Sequence, residues 1–268
     1  MTHIIYQKTD DIHIEKSVLK TPMVQMHYHH TFELYYLING EREYFIGDKF
    51  YRVSDGDLVL IPRNIIHRTA GKGAARYLLY FSSNYLSKYF KDELISELPL
   101  DKPLILRPDD DIRVHIESTL QHMYNIYKDN PQNSEVTLAS ALCSLLFDVL
   151  RSQNQYVPSE YSDARLEEII QYINSNYAKI DNIENVAREF FISKYHLCRM
   201  FNKNLDVSFI SYLNTIKVRA AVDLLRQSKL SLTEIATRCG FNSSSYFCKV
   251  FKGEKGVSPS AYRQNLYK

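Results

Sequence analysis

The sequence predicts a two-domain α+β protein, with a β-barrel domain first and an all-helical domain last. Strand-like runs fill the first third, helical periodicity fills the last hundred residues, and a polar stretch containing a proline separates these parts. We expect an N-terminal domain at residues 1–152, with its barrel at about 1–82 and its helices at about 83–152. A linker at 153–162 would then lead to a C-terminal domain at 163–268.

The composition is that of an ordinary globular protein, with 268 residues of which 45% are hydrophobic and 24% are charged. No apolar run approaches the roughly 18 residues of a membrane span, and the N-terminus lacks a signal-peptide pattern. We therefore expect a cytoplasmic protein with no membrane partner. The four cysteines lie singly in helical patterns and are expected to be reduced core thiols: Cys143, Cys198, Cys239 and Cys248.

The charge is distributed unevenly although the formal net charge is only +2. Residues 163–268 hold 16 Lys and Arg against 10 Asp and Glu, whereas residues 1–162 hold 17 against 21. This asymmetry indicates that only the C-terminal part meets a polyanion.

In the first 82 residues, short β-branched and aromatic runs alternate with turn signals such as Asn39-Gly40 and Asp55-Gly56. Many strands this short favour a sandwich or a small barrel over a parallel sheet. The predicted strands are Ile12–Val18, Met23–His29, Phe32–Ile38, Tyr44–Ile46, Lys49–Val53, Leu58–Ile61, His67–Ala70 and Tyr77–Phe81.

Two histidine-bearing segments lie in this region. One is HYHHTFELYYLING at residues 27–40, and the other is GDLVLIPRNIIH at residues 56–67. The period of two along a strand puts His27 and His29 on one face, and Glu33 keeps the same parity. The segments resemble the two signature motifs of the cupin superfamily, whose fold is a double-stranded β-helix barrel. Asn64 stands where cupins usually carry glycine.

The cupin resemblance implies a ligand set for a divalent metal such as Zn, Fe or Mn: His27, His29, Glu33 and His67. The alternative is that these side chains, together with Tyr35, hydrogen-bond a small molecule without any metal. The region is also rich in tyrosine, which suits stacking against a sugar, although ordinary strand packing accounts for most of these rings. A carbohydrate is therefore the favoured effector.

The middle of the chain predicts helices after residue 82. An acidic N-cap at 109–111 begins a helix through Lys128, and a second helix is predicted at about Ser134–Arg151. Either apolar stripe could form a dimer surface or dock on the barrel. We expect the first of these helices to form a homodimer and the second to dock on the barrel.

The last hundred residues contain an internal repeat. Val186-Ala187 matches Ile235-Ala236, and Val207-Ser208 matches Val257-Ser258, with an offset of 49 residues that grows to 50. The extra residue is predicted at the start of the second helix of the second copy. Each copy predicts a helix, a turn and a second helix, so the repeat predicts two helix-turn-helix units. An amphipathic helix at about 208–228 joins them, and its roughly 30 Å length is close to the 34 Å turn of B-DNA.

This arrangement over about residues 165–265 resembles the DNA-binding domain of the AraC/XylS family of bacterial transcription regulators. A cupin-like domain followed by helices is the usual companion of that domain in the family. The resemblance implies base contacts from Tyr195, Cys198, Arg199, Ser244, Ser245 and Lys249, and it implies phosphate contacts from Lys194, His196, Lys203 and Lys252. Asn242 lies in the small polar cluster before the second reading helix and completes the expected DNA-binding set.

The favoured function is a ligand-responsive DNA-binding regulator that is not an enzyme. Its expected partners are double-stranded promoter DNA, a small-molecule effector in the barrel, a second copy of the chain, and RNA polymerase if it is an activator. One alternative is a cupin metalloenzyme with an appended helical domain, and another is a DNA-binding protein whose barrel only dimerises. Since serines follow the second turn, we expect the first copy to carry more base specificity.

Overall fold

The computed structural model describes residues 5–6, 11–19, 26–71, 73–129, 134–152 and 164–265. The chain divides into two compact units, one built mainly from residues 7–161 and the other mainly from residues 162–268. The predicted linker at 153–162 lies outside the described residues, as do the first residues of the predicted strand Met23–His29.

The described strands form two five-stranded sheets of a barrel, in the orders β1-β3-β8-β5-β6 and β10-β7-β4-β9-β2, and pairs such as β4–β9 and β5–β6 are antiparallel. The strands are β1 (Ile5–Tyr6), β2 (Ile12–Leu19), β3 (His27–Tyr28), β4 (Phe32–Gly40), β5 (Arg42–Ile46), β6 (Lys49–Val53), β7 (Leu58–Ile61), β8 (His67–Ala70), β9 (Ala74–Phe81) and β10 (Leu104–Leu106). The sequence therefore predicts the β-rich domain correctly, because β-branched and aromatic runs bounded by turn residues leave little choice of structure.

Strand β4 separates two hydrophobic cores, because its side chains alternate between two faces. Tyr35 and Leu37 face the barrel interior, whereas Leu34 and Tyr36 pack toward the helices. Glu33 has the parity of the interior side chains and pairs with Ile61 on β7. The Glu33 carboxylate therefore lies on the interior face.

Helices cover the outer face of the β4 sheet. They are α1 (Ser83–Tyr89), α2 (Asp92–Glu97), α3 (Asp110–Asp129) and α4 (Glu135–Arg151). The apolar stripe of α3, which includes Ile116, Leu120 and Met123, is fully buried in the same core as the stripe of α4. The prediction that the α3 stripe forms a dimer surface is wrong, because the stripe docks inside its own unit. The docking predicted for α4 is confirmed.

The C-terminal unit is helical. Its helices are α5 (Ala164–Asn176), α6 (Ile183–Glu189), α7 (Lys194–Leu205), α8 (Phe209–Gln227), α9 (Leu232–Arg238), α10 (Ser244–Lys255) and α11 (Pro259–Asn265), with a 3-10 turn at Tyr177–Lys179. Helices α6 and α7 form the first copy of the repeat, and α9 and α10 form the second. The connecting helix α8 begins after a serine N-cap, Ser208, whose hydroxyl accepts a hydrogen bond from the Ser211 backbone N–H.

Both copies use the same local chemistry. Ser193 caps α7 by accepting from the His196 N–H, and Ser243 caps α10 by accepting from the Tyr246 N–H. Because α6 and α9 end at equivalent positions but the caps Ser193 and Ser243 differ by 50, the extra residue is Asn242. It lies in the turn before the cap rather than at the start of the helix, which corrects the predicted position.

Two further findings concern chemistry expected along the chain. In the part of the chain that the structure describes, no helix combines the length and the apolarity that a bilayer crossing requires. The cysteines are free, but only Cys239 is fully buried and Cys198 is exposed. The prediction that all four thiols are core thiols is therefore wrong for Cys198, which lies on the solvent side of α7.

Candidate ligand site and nucleic-acid interface

The four predicted metal ligands come together in the barrel. Their ligand atoms all lie within 4.8 Å of one another, and each side chain is at most 5% exposed: His27, His29, Glu33 and His67. Strand β3 supplies the first histidine, the loop after it the second, β4 the carboxylate and β8 the third histidine. Strands β3 and β8 are neighbours in one sheet and β4 belongs to the other, so the site brings together residues up to 40 positions apart from both sheets.

The hydrogen bonds of two of these histidines fix their ring orientation. The Nδ1 atom of His29 lies 2.8 Å from the carbonyl of Thr31, and that of His67 lies 2.8 Å from the carbonyl of Ile65. A carbonyl only accepts hydrogen bonds, so each Nδ1 is the donor, and in a neutral ring Nε2 carries the lone pair that could bind a metal.

Both Nε2 atoms face the same carboxylate oxygen, Oε2 of Glu33, at 2.9 Å from His29 and 3.2 Å from His67. If both rings are neutral, the lone pairs of the two Nε2 atoms and of Oε2 point at one another in a buried space, which is unfavourable without a cation between them. A divalent cation bound by the imidazoles and the carboxylate would stabilise this arrangement, and outer hydrogen bonds to carbonyls are the usual support of histidine ligands. If both rings were protonated instead, each Nε2 would donate a hydrogen bond to Oε2, and two imidazolium charges would lie against one carboxylate. The donor set therefore fits a borderline divalent metal.

The electrostatics of Glu33 favour its ionised form. Burial alone would raise the pKa of this carboxyl, but the charge of His67 and hydrogen bonds from His29 and His67 hold it well below the usual range. Tyr80 contacts the same group, with its ring centroid 4.9 Å from that of His29. Burial and the charge of Glu33 raise the pKa of Tyr80, so its hydroxyl stays protonated.

A second polar group lies in the barrel, around the predicted ligand residue Tyr35. Its ring centroid lies 5.3 Å from that of Tyr44, and the guanidinium carbon of Arg76 lies 5.4 Å from the ring. Arg42 is only 1% exposed. Sequence reasoning missed Arg42 and Arg76, although each shares strand parity with interior residues and a charged residue at such a position was a usable signal.

The predicted DNA-contacting residues lie on the outer faces of α7 and α10 and in the turn before α10. All of them are exposed except Ser244, which is half-buried: Lys194, Tyr195, His196, Cys198, Arg199, Lys203, Asn242, Ser244, Ser245, Lys249 and Lys252. Leu197 and Phe201 of α7, and Phe247 and Phe251 of α10, are fully buried on the opposite faces. Packing of these aromatic and aliphatic stripes turns the polar faces outward.

Two residues of this surface make contacts that affect their expected roles. The ammonium of Lys194 lies 3.1 Å from Oε1 of Glu184, which neutralises part of its charge. The Ser244 hydroxyl donates to Thr233 Oγ1 at 3.4 Å. Arg199 forms no such pair with the residues that the structure describes, and it is a long exposed cation in the second turn of α7, where a side chain can reach a base edge.

Comparisons with known proteins identify two domains in the chain. Residues 186–265 match the helix-turn-helix domain, and residues 18–81 match the cupin domain. The first match covers most of both repeat copies, and the second covers the histidine cluster.

Several regulators are similar to this chain. Regulatory protein PocR of Salmonella typhimurium is 28% identical, over 65% of this chain and 54% of its own length. The uncharacterized HTH-type transcriptional regulator YijO of Escherichia coli is 34% identical, over 57% of this chain and 54% of its own length. The chain thus spans about half the length of these two relatives. The HTH-type transcriptional activator RhaR of Mannheimia succiniciproducens is 23% identical, over 92% of this chain and 90% of its own length.

Among solved structures, the C-terminal domain of AraT, a response regulator from Geobacillus stearothermophilus, is 34% identical to this chain. The alignment covers 40% of this chain and 88% of the AraT domain, with a TM-score of 0.38.

Proposed function

Because the chain belongs to the AraC/XylS family of transcription regulators, with its cupin and helix-turn-helix domains, we propose that it binds promoter DNA and controls transcription in response to a small molecule. The observation that carries this proposal is the duplicated helix-turn-helix. Both copies cap their second helix with serine and expose its polar face. A bacterial promoter lies in the cytoplasm, so a cytoplasmic location belongs to the proposal, as does RNA polymerase as partner of an activator.

Phosphate contacts supply much of the affinity in this proposal, and base contacts supply the sequence preference. His196, Lys203 and Lys252 are exposed groups suited to phosphate. Arg199 suits guanine, since its guanidinium can donate two parallel hydrogen bonds to O6 and N7, worth about 1–3 kcal/mol of discrimination.

The test is selection of genomic fragments by the full chain, followed by titration of an enriched fragment against random DNA over a range of salt. We expect binding that weakens steeply with salt and a preference for the enriched fragment of at least about a thousandfold. Arg199→Ala should reduce this preference. Arg52→Ala is the matched control, because it removes an exposed arginine of the barrel that pairs with Glu41. Equal affinity for enriched and random DNA would refute the proposal.

We place the effector site in the barrel interior, where the histidine cluster and Tyr35 lie on the same face. A bound divalent metal would be held by His27, His29, Glu33 and His67, and it would offer the effector a Lewis-acidic coordination position. A carbohydrate suits the many buried tyrosines of this unit, because an aromatic ring can stack on a sugar while a hydroxyl binds it.

Metal content tests this part of the proposal independently of DNA binding. The purified full chain, reconstituted with zinc or manganese and passed over a desalting column, should retain about one equivalent. Glu33→Gln should release it, whereas Glu41→Gln, at an exposed carboxylate, should not. Equal metal content in all three proteins, or none in the wild type, would remove the metal and leave the hydrogen-bonding alternative.

A homodimer also belongs to the proposal, but it must use surfaces other than the buried α3 stripe. Val114 on α3 and Val136 and Phe147 on α4 are large apolar side chains that are 69%, 71% and 49% exposed. Sedimentation of the wild type should give a dimer, and Val114→Glu should shift it toward the monomer. A monomeric wild type at micromolar concentration would refute the dimer.

A further inference from the structure

The interior of the barrel holds a buried arginine whose charge lacks an acidic partner among the described residues. Arg42 is 1% exposed and donates from one terminal nitrogen to the carbonyl of Gly71 at 2.7 Å. Its Nε and its other terminal nitrogen have no hydrogen-bond partner within the described part of the chain. A buried guanidinium with free N–H groups is unfavourable by itself, because a buried charge needs a counter-charge and each N–H needs an acceptor.

Three hydroxyl groups in the same interior share this condition. Those of Tyr44 and Thr69 are also buried and find no partner at hydrogen-bond geometry among the described residues, and that of Tyr35 lies beside Arg42 but outside hydrogen-bond geometry. Tyr44 and Thr69 face each other across β5 and β8, and the rings of Tyr35 and Tyr44 are in edge contact. Five polar atoms that can all donate hydrogen bonds are thus gathered near Tyr35.

The second arginine of this interior, Arg76, differs from Arg42 in its contacts. It donates to Ser17 Oγ and to Glu15 Oε1, each at 3.1 Å, so its charge is balanced by a carboxylate. Burial raises the pKa of Tyr35, and the Arg42 guanidinium beside its hydroxyl, together with the charge of Arg76, opposes this rise. Both guanidinium groups therefore act on the same tyrosine, and only that of Arg42 is left uncompensated.

The backbone around Arg42 makes room for the side chain in this position. Gly71 has φ +131°, and a Cβ there would lie 2.8 Å from the Glu41 carbonyl oxygen and 3.2 Å from Cδ of Arg42. A side chain at position 71 would displace the arginine that its carbonyl holds. The orientation of Arg42 is therefore built into the turn between β8 and β9.

From this geometry we propose that the effector is a small organic anion whose carboxylate or phosphate group binds between Arg42 and the hydroxyls of Tyr35, Tyr44 and Thr69. The proposal rests on the proposed regulator function and specifies its effector as an acid, such as a sugar acid or a sugar phosphate, rather than a neutral sugar. Guanidinium and tyrosine hydroxyl groups provide the planar and charge-assisted hydrogen bonds that such oxyanions accept. Glu33 lies two residues from Tyr35 on the same strand face, which keeps a ligand of this size within about 7 Å of the histidine cluster.

The experiment uses acetate and inorganic phosphate as probes of the full chain, with chloride at equal ionic strength as reference and galactose as the neutral probe. The near-ultraviolet circular dichroism of the tyrosines reports binding, because the chain has no tryptophan. We expect saturable binding of at least one oxyanion and no comparable effect of chloride or galactose. Acetate and phosphate distinguish a carboxylate effector from a phosphorylated one.

Two variants test the assigned residues. Arg42→Gln should weaken binding of the oxyanion at least about tenfold. Since that change could affect folding, Tyr44→Phe provides a second test: it removes a hydroxyl without a partner, so it should weaken binding about three- to tenfold without lowering the melting temperature. Tyr77→Phe is the matched control, because that hydroxyl donates to Gln121 on the helix side and its loss should leave binding unchanged.

Each remaining outcome contradicts the proposal. Absence of oxyanion binding, or binding that is the same in Tyr44→Phe and Arg42→Gln as in the wild type, would overturn the acidic effector. Saturable binding of galactose alone would replace it with a neutral ligand. Promoter binding is measured on the same proteins. If it persists while the oxyanion result is negative, the regulator function stands and only the effector class falls.

Discussion

The two helix-turn-helix copies follow the same turn with very different residues. Phe191 and Gly240 occupy equivalent positions, with φ of 52° and 75°. In each copy the next residue closes the helix end, since Ile192 N–H donates to Ala187 and Phe241 N–H donates to Ala236, both at 2.9 Å. The helix end therefore imposes the left-handed conformation whether or not the residue favours it.

Surroundings explain why only one copy requires glycine. Phe191 is 94% exposed, so its side chain meets solvent and only the backbone conformation is strained. A Cβ at Gly240 would collide with the Ala178 backbone, 2.7 Å from its Cα. The carbonyl of Gly240 also accepts from the buried ammonium of Lys217 at 2.6 Å. The second turn is thus part of the domain core, whereas the first is a surface feature.

Substitution of Gly240 should give the largest effect on stability. Gly240→Ala should lower the free energy of unfolding by at least about 3 kcal/mol, because it adds a steric overlap to a left-handed backbone. Chemical denaturation of the full chain measures this. Gly253→Ala is the matched control, since nothing lies within 4 Å of its added methyl and helix α10 should gain up to about 1 kcal/mol. Equal effects of the two changes would contradict the packed turn.

The copies also differ in a titratable group, because Glu254 of α10 stands where α7 has Asn204. Burial raises the pKa of Glu254 to about 7, while a hydrogen bond from Thr215 opposes the rise. Because the pKa of this carboxyl is higher in the folded chain than in the unfolded chain, its contribution to the free energy of unfolding is fully present below about pH 4.5. That contribution is lost as the pH rises through about 7.

Glu254→Gln should therefore stabilise the chain at pH 8 by on the order of 2 kcal/mol relative to wild type and change little at pH 4.5. Burial lowers the pKa of the neighbouring Lys255 to about 7 and the charge of Glu254 opposes this, so the comparison measures the carboxyl together with its interaction with that ammonium. Denaturation curves at the two pH values measure the difference. A difference that is independent of pH would show that Glu254 ionises as in the unfolded chain.

Phe191→Gly should have the smallest effect on stability, and it should stabilise the chain, opposite in sign to Gly240→Ala. Removing a β-carbon from a left-handed residue relieves strain, and the larger entropy of unfolded glycine cancels part of the gain, so we expect stabilisation of about 0.5–1 kcal/mol. The same denaturation assay measures it. A clear loss of stability would mean that the exposed phenylalanine ring makes a contact that holds the first turn.

The comparison also shows what sequence reasoning can reach. The repeat was visible because buried positions such as Val186 and Ile235 need the same chemistry in both copies, and the strands were visible because period-two patterns survive in short runs. The four-member histidine and carboxylate group followed from a motif resemblance, and the structure brings these residues together.

What the sequence did not provide depends on partners distant in the chain. The α3 stripe has the same periodicity whether it faces a second subunit or the barrel, so only the packing could decide. Arg42 shares the parity of the interior residues of β5, but its burial and its missing counter-charge are evident only once the barrel closes around it. Asn242 could be assigned to the turn only when the serine cap was located.

The central claim is that the first copy reads sequence and the second mainly anchors. Tyr195 is 73% exposed at the start of α7, near Arg199, whereas serines begin α10. The direct test compares Arg199→Ala with Lys249→Ala, at exposed cations on the two reading helices, in affinity for an enriched fragment and for random DNA. Arg199→Ala should lower the ratio of the two affinities about tenfold or more, whereas Lys249→Ala should weaken both affinities in parallel. A ratio that falls in Lys249→Ala and stays unchanged in Arg199→Ala would contradict the claim.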